Sequence, residues 1–197
     1  MKKDFDKFFK RKIKENILVK KKLDNLIIKK KISQSINVIY NSLSSGGKVL
    51  LCGNGGSAAD AQHLAAEFLV RLRSNVNRKP LPAIALTMDV STITACANDY
   101  SFKKIFSRNL DAIANKNDIL IALSTSGNSK NILEVLKMAN KKKIFSVAFL
   151  GNSGGEAKKL ANLSLIVPSR STARIQEAHI FLGHVIFERV EDLLLKC

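Results

Sequence analysis

Residues 48–68 read KVLLCGNGGSAADAQHLAAEF, and the fold turns on how this stretch is parsed. Lys48 to Cys52 is a short apolar run of the kind that forms a buried strand. Gly53-Asn54-Gly55-Gly56 breaks it, and Ser57 stands where the N-cap of a helix belongs. Backbone N–H groups at such a turn seat an anion, phosphate above all. Further along the expected helix, His63 and Glu67 are spaced i, i+4 and share one face. That pair suits divalent-metal binding or proton transfer. Ser57 and Glu67 are about 15 Å apart along the helix axis, a gap that a small phosphorylated substrate spans.

Outward from this unit, strands alternate with helices. Residues 3–45 read as one long helix or two, with an apolar stripe that includes Ile13, Ile17, Leu18, Leu23, Ile27, Ile28, Ile32, Ile36 and Ile39. Such a helical region packs on the core that follows or on another subunit. Ser44-Ser45-Gly46-Gly47 ends it with turn chemistry. On the other side, strands are expected at Ala83–Leu86, Ile119–Leu123, Ile144–Leu150 and Leu163–Val167. Helices are expected from Asp89 or Ser91 to Asn98-Asp99, over Phe102–Ala114 and Lys130–Lys141, up to Ala161, and over Ser171–Leu195. The pattern predicts an α/β fold, a parallel sheet covered on both faces. Residues 1–45 form the N-terminal helical region and 46–197 the domain proper.

The 197 residues suit a single core, and 46% hydrophobic content with only three Pro excludes a disordered chain. No run is long enough for a membrane span, and no signal-peptide pattern follows the start. Cys52, Cys96 and Cys197 are odd in number and unpatterned, as for free thiols in a reducing cytosol, so a cytoplasmic location is expected. The formal charge of +17 raises nucleic acid, an acidic membrane surface and an anionic substrate as partners. About half of the excess falls in residues 1–31, as on a solvated helix face. Phe5, Phe8 and Phe9 lie among those lysines at helical spacing, as packing residues do. The charge does not by itself make a nucleic-acid binder.

Two loops leave expected strands at their carboxyl ends in the same style, Gly53-Asn54-Gly55-Gly56-Ser57 and Ser124-Thr125-Ser126-Gly127-Asn128-Ser129. Ligands of open α/β sheets bind at such ends. The second loop sets several hydroxyls beside a helix N-terminus, a phosphate cradle. Gly53, Gly55 and Ala58 also satisfy a loose dinucleotide fingerprint. Arg71 to Lys79, however, holds no acidic residue to take a ribose, and the Walker pattern is missing. On the last helix Gln176, Glu177, His179 and His184 interrupt an apolar pattern.

Taken together, Gly53–Ser57, His63-x-x-x-Glu67, Asn98-Asp99, Ser124–Ser129 and Arg174-Ile175-Gln176-Glu177 through His184 resemble the phosphoheptose isomerases of the sugar isomerase (SIS) family. The resemblance runs from about Gly46 to the C-terminus; the N-terminal helix matches only in kind. It implies a five-stranded parallel sheet between helix layers, a homotetramer with sites at subunit interfaces, and one zinc ion per subunit. The implied reaction converts sedoheptulose 7-phosphate to D-glycero-D-manno-heptose 7-phosphate, for nucleotide-activated heptose in lipopolysaccharide or capsule.

By position, Ser57, Ser124, Thr125, Ser126 and Ser129 would hold phosphate. Asn54, Gly55, Gly56, Asn98 and Asp99 would line the sugar, with Glu67 and Gln176. His63, Glu67, Gln176 and His184 match the family's zinc ligands, and Glu67 and His184 its acid/base pair. Two tensions accompany that assignment. A carboxylate bound to zinc is a poorer base, and Gln176 and His184 are about 12 Å apart along one helix. His179, one turn from Gln176, is an alternative ligand. Two other readings share the fold: a non-catalytic replication-initiator-associating protein, which has no need of Glu67 and His184, and an isomerase of another sugar phosphate.

Overall fold

The computed structural model describes residues 2–195. Two helices, α1 (Lys2–Leu23) and α2 (Leu26–Ser44), precede β1 (Val49–Cys52) and α3 (Gly56–Leu69). There follow β2 (Ala83–Ala85), α4 (Val90–Asp99), α5 (Ile105–Ile113), β3 (Ile119–Ser124) and α6 (Lys130–Lys142). The chain ends with β4 (Phe145–Gly151), the short α7 (Ala157–Leu160), β5 (Leu163–Val167) and α8 (Thr172–Leu194). The strands form one parallel sheet in the order β2-β1-β3-β4-β5.

Strand alternation sorts the core into two halves. Val49, Leu51, Ile119, Ile121, Leu123, Val147 and Phe149 point to the face covered by α2, α3 and α8. Leu50, Cys52, Leu120, Ala122, Ala148 and Leu150 point to the face covered by α4, α5 and α6. Both faces are therefore covered, which is why these strands are near-continuous apolar runs instead of alternating, with Ser124, Ser146 and Ser164 as buried polar exceptions. At the amino ends of the central pair, the buried Asp118 accepts from the Lys48 backbone N–H (3.0 Å) and from its Nζ (2.6 Å).

The expected three-layer architecture is thus present, with local differences. The N-terminal region is two helices, because Asn25 caps the second: its Oδ1 accepts from Ile28 N–H at 3.0 Å. Of the α1 stripe only Val19 and Leu23 are buried, while Phe5, Phe8, Phe9, Ile13, Ile17 and Leu18 are exposed. Asp89, not Ser91, caps α4. The helix expected over Phe102–Ala114 opens with a 3₁₀ turn, Phe102–Lys104. Cys52 and Cys96 are buried free thiols; Cys197 lies outside the described residues. Among the described residues no helix is long and apolar enough to cross a membrane.

His179 is a core residue. It has no exposed surface, and its Nε2–H donates to the Leu150 carbonyl at 3.1 Å. Its Nδ1 is buried without a partner, so a second proton would have no acceptor. Burial pushes the imidazole down to about 4. The unfolded chain takes up this proton near pH 6.5 and the folded chain only near pH 4. His179 therefore contributes full stability above about pH 6.5 and loses roughly 3 kcal/mol as pH falls from there to 4. Thermal melts at pH 7 and pH 5 should show a smaller loss of Tm in His179→Gln than in the wild type. An equal loss would refute the assignment.

Candidate active site

The strand order places the switch point between β1 and β3, since the chain runs outward from β1 to β2 on one side and from β3 to β4 on the other. The carboxyl ends of the strands at such a point are where open α/β sheets bind their ligands. Both glycine- and serine-rich loops leave from there. They are joined by a reciprocal amide pair: Asn54 Nδ2 donates to Asn131 Oδ1 (2.9 Å) and Asn131 Nδ2 donates to Asn54 Oδ1 (2.8 Å). Asn54 thus spends its side chain holding the two loops together. Asn131, buried in the first turn of α6, escapes sequence reading because an Asn near a helix start is ordinarily a cap.

In the first loop Gly55 takes φ +55°, a left-handed conformation suited to glycine. It is Gly55, not Ser57, that occupies the N-cap position of α3; Ser57 lies within the first turn, buried, with its N–H on the Asn54 carbonyl. The cap falls earlier because a chain with free φ at Gly55 can begin the helix at once. In the second loop Ser124 Oγ accepts from Gly127 N–H (3.1 Å) and lies 3.5 Å from Ser129 Oγ. Ser126 Oγ accepts from Asn128 N–H (3.1 Å). Ser129 is the N-cap residue of α6 and makes no side-chain cap, which leaves first-turn N–H groups for an anion. Thr125 is half-buried in the same loop.

Helices α3 and α8 bring the second group together. His63 Nε2 lies 2.9 Å from His184 Nε2 and 3.2 Å from Glu67 Oε1. The ligand atoms of the three residues are all within 4.8 Å of one another. The approach depends on Gly183, beside His184: a Cβ there would come within 2.5 Å of Leu64, beside His63. Tetrahedral zinc, with bonds of about 2.0–2.1 Å, sets its donors about 3.3 Å apart. Two imidazoles and a carboxylate at these separations fit such an ion.

Gln176 is placed elsewhere on α8. Its carboxamide lies against Gly56, where a Cβ would meet Nε2 at 2.4 Å, two turns of α3 ahead of His63. His179, as shown above, turns into the core. Asn98 and Asp99 end α4 on the surface, bonded to each other at 2.9 Å. Asp60, one turn before His63, carries no spacing signal of its own in the sequence. One of its carboxylate oxygens is buried without a partner. Burial, opposed by the charge of His63, pushes this carboxyl up to about 6.

The SIS domain family model matches residues 19–151. The chain is 47% identical over 188 residues to the phosphoheptose isomerase of Clostridium acetobutylicum, covering 95% of each chain. It is 54% identical over 159 residues to that of Chlorobaculum tepidum, covering 80% of this chain and 76% of the relative. The solved structure of a phosphoheptose isomerase from Francisella tularensis superposes with a TM-score of 0.89 at 37% identity, over 96% of this chain and 98% of that one. The paired loops at the switch point and the His-Glu-His cluster thus sit in a chain that belongs to the SIS domain family, among its phosphoheptose isomerases.

Proposed function

We propose that the chain interconverts sedoheptulose 7-phosphate and D-glycero-D-manno-heptose 7-phosphate, supplying heptose for nucleotide activation and surface polysaccharide in the cytoplasm. The observation that carries the reading is the meeting of Glu67 with His184 across two helices, their ligand atoms within 4.8 Å of each other and of His63. Ser57, Ser124, Thr125, Ser126 and Ser129 would bind the phosphate, with the N-terminus of α6 aimed at its charge. Gly55, Gly56, Asn98, Asp99 and Gln176 would meet the sugar, while Asn54 shapes the loop that does so.

The reaction moves a proton between neighbouring carbons. Glu67 takes the proton from C1 of the ketose, and the electrons of the broken C1–H bond form the C1=C2 bond of an enediol as O2 gains a proton. Return of the carbon proton to C2 and loss of the O1 proton give the aldehyde, so no external oxidant or reductant is consumed. His184 carries the proton between O1 and O2, and Glu67 returns its own to C2. His63, Glu67 and His184 would hold a zinc ion, which when bound polarises the carbonyl as a Lewis acid. Gln176, whose carboxamide lies against Gly56, would complete that ligand set. The half-exposed His63 edge of the cluster and the exposed α1 face suit assembly as a homotetramer, in which the sites would lie between subunits.

The test is direct. Purified protein incubated with sedoheptulose 7-phosphate, with zinc and with a chelator, should produce the aldose by NMR. No aldose under either condition, from protein folded by circular dichroism, would overturn the heptose reading.

A further inference from the structure

A second connection between α3 and α8 lies beyond the His-Glu-His cluster, on the side away from the loops. Glu191 of α8 is 1% exposed. Its two oxygens accept from Arg78 Nε at 2.5 Å and from Arg73 Nε at 2.8 Å. Arg78 comes from the segment between α3 and β2. Its other nitrogens reach back to the end of α3, Nη2 to the Glu67 carbonyl (2.7 Å) and Nη1 to the Phe68 carbonyl (2.9 Å). Between the two helices the ring of Phe68 stacks on that of Phe187, with centroids 3.7 Å apart and planes within 8°.

The carbonyls of Glu67 and Phe68 belong to the last turn of α3, where no intrahelical N–H remains to satisfy them. Arg78 does so with a positive charge, which also suits the helix dipole. The same guanidinium is held by a carboxylate two turns beyond His184 on α8. One rigid planar group therefore ties the backbone of Glu67 to the helix that carries His184. Buried ion pairs contribute little net stability, because desolvation offsets their attraction. Their fixed geometry is what a site assembled from two helices requires.

We propose that Arg78, clamped by Glu191, is a positioning residue that sets Glu67 against His184 and His63. The kinetic part of this proposal rests on the isomerase reading; the geometric part does not. Lysine keeps the charge at position 78 but cannot fork to two carbonyls and a carboxylate.

The test compares the wild type with Arg78→Lys and, as a second variant of unchanged side-chain size, Glu191→Gln. Initial rates with sedoheptulose 7-phosphate are paired with imidazole NMR spectra, which are simple because the chain has three His. In both variants kcat should fall about tenfold or more while KM stays within about twofold, since a small misplacement of reacting groups costs that much. The His63 and His184 signals should move and that of His179 should stay. Variants with wild-type kcat and unmoved His63 and His184 signals would overturn the proposal. So would loss of the native His179 signal in both, which would make the pair a stability element only. If the wild type itself turns nothing over, the isomerase reading fails separately, and the imidazole spectra alone decide the positioning role.

Discussion

Glu67→Gln should lower kcat about a thousandfold, within the range general acid–base catalysis supplies, and leave the fold unchanged. The side chain is 17% exposed and touches His63, so glutamine keeps its volume while losing the carboxylate charge and the ability to take a proton. Asp60 lies two turns back on α3, and His184 is committed to the other side of the pair. KM should change by less than about fivefold, because the phosphate is held by loops about 15 Å away along the helix. Rate assays by NMR or by a coupled aldose assay would check this. Residual turnover above a tenth of wild type would remove Glu67 from the role of base.

Gly127→Ala should lower kcat/KM about a hundredfold by spoiling the phosphate loop, a loss of roughly 2.7 kcal/mol in transition-state binding. Gly127 has φ +68°, and an added Cβ would lie 2.1 Å from the Gly154 carbonyl oxygen. The obstacle is backbone, which cannot swing aside as a side chain would. Its displacement would disturb two further links, Ala157 N–H to the Gly127 carbonyl (2.9 Å) and Glu156 N–H to Asn128 Oδ1 (3.0 Å). The loss should appear mainly in KM, and inorganic phosphate should lose its power to inhibit. A variant with unaltered KM would show that the serine loop does not carry the phosphate.

Much of this molecule is legible from its sequence, for physical reasons that differ by element. The strands are readable because burial on both faces leaves runs such as Ile119–Leu123 without a polar interruption. The His63–Glu67 pair is readable because i, i+4 spacing is local. Its meeting with His184 is not: it depends on Gly183 letting α8 approach Leu64, a contact between residues far apart in the chain, and only the family resemblance anticipates it. Asn131 and Arg78 are hidden for the same reason, since each acts through a partner on another element. The place of Ser57 is not legible from sequence because serine is a common cap, while a Gly55 with positive φ starts the helix without a side-chain cap.

The pairing of β1 with β3 also bears on how the protein comes to be active. Lys48 and Asp118, which close the amino end of that pair, are 70 positions apart, and Val49 aligns with Ile119. Contacts so distant in sequence form slowly, because the loop between them must be closed before they repay its entropy. Helices and the local turns can form earlier, but the two loops do not face each other until these two strands lie side by side. Substrate recognition should therefore appear late in refolding, after helical signal has recovered. During synthesis, the Gly53–Ser57 loop must wait for most of the following chain before it faces its counterpart.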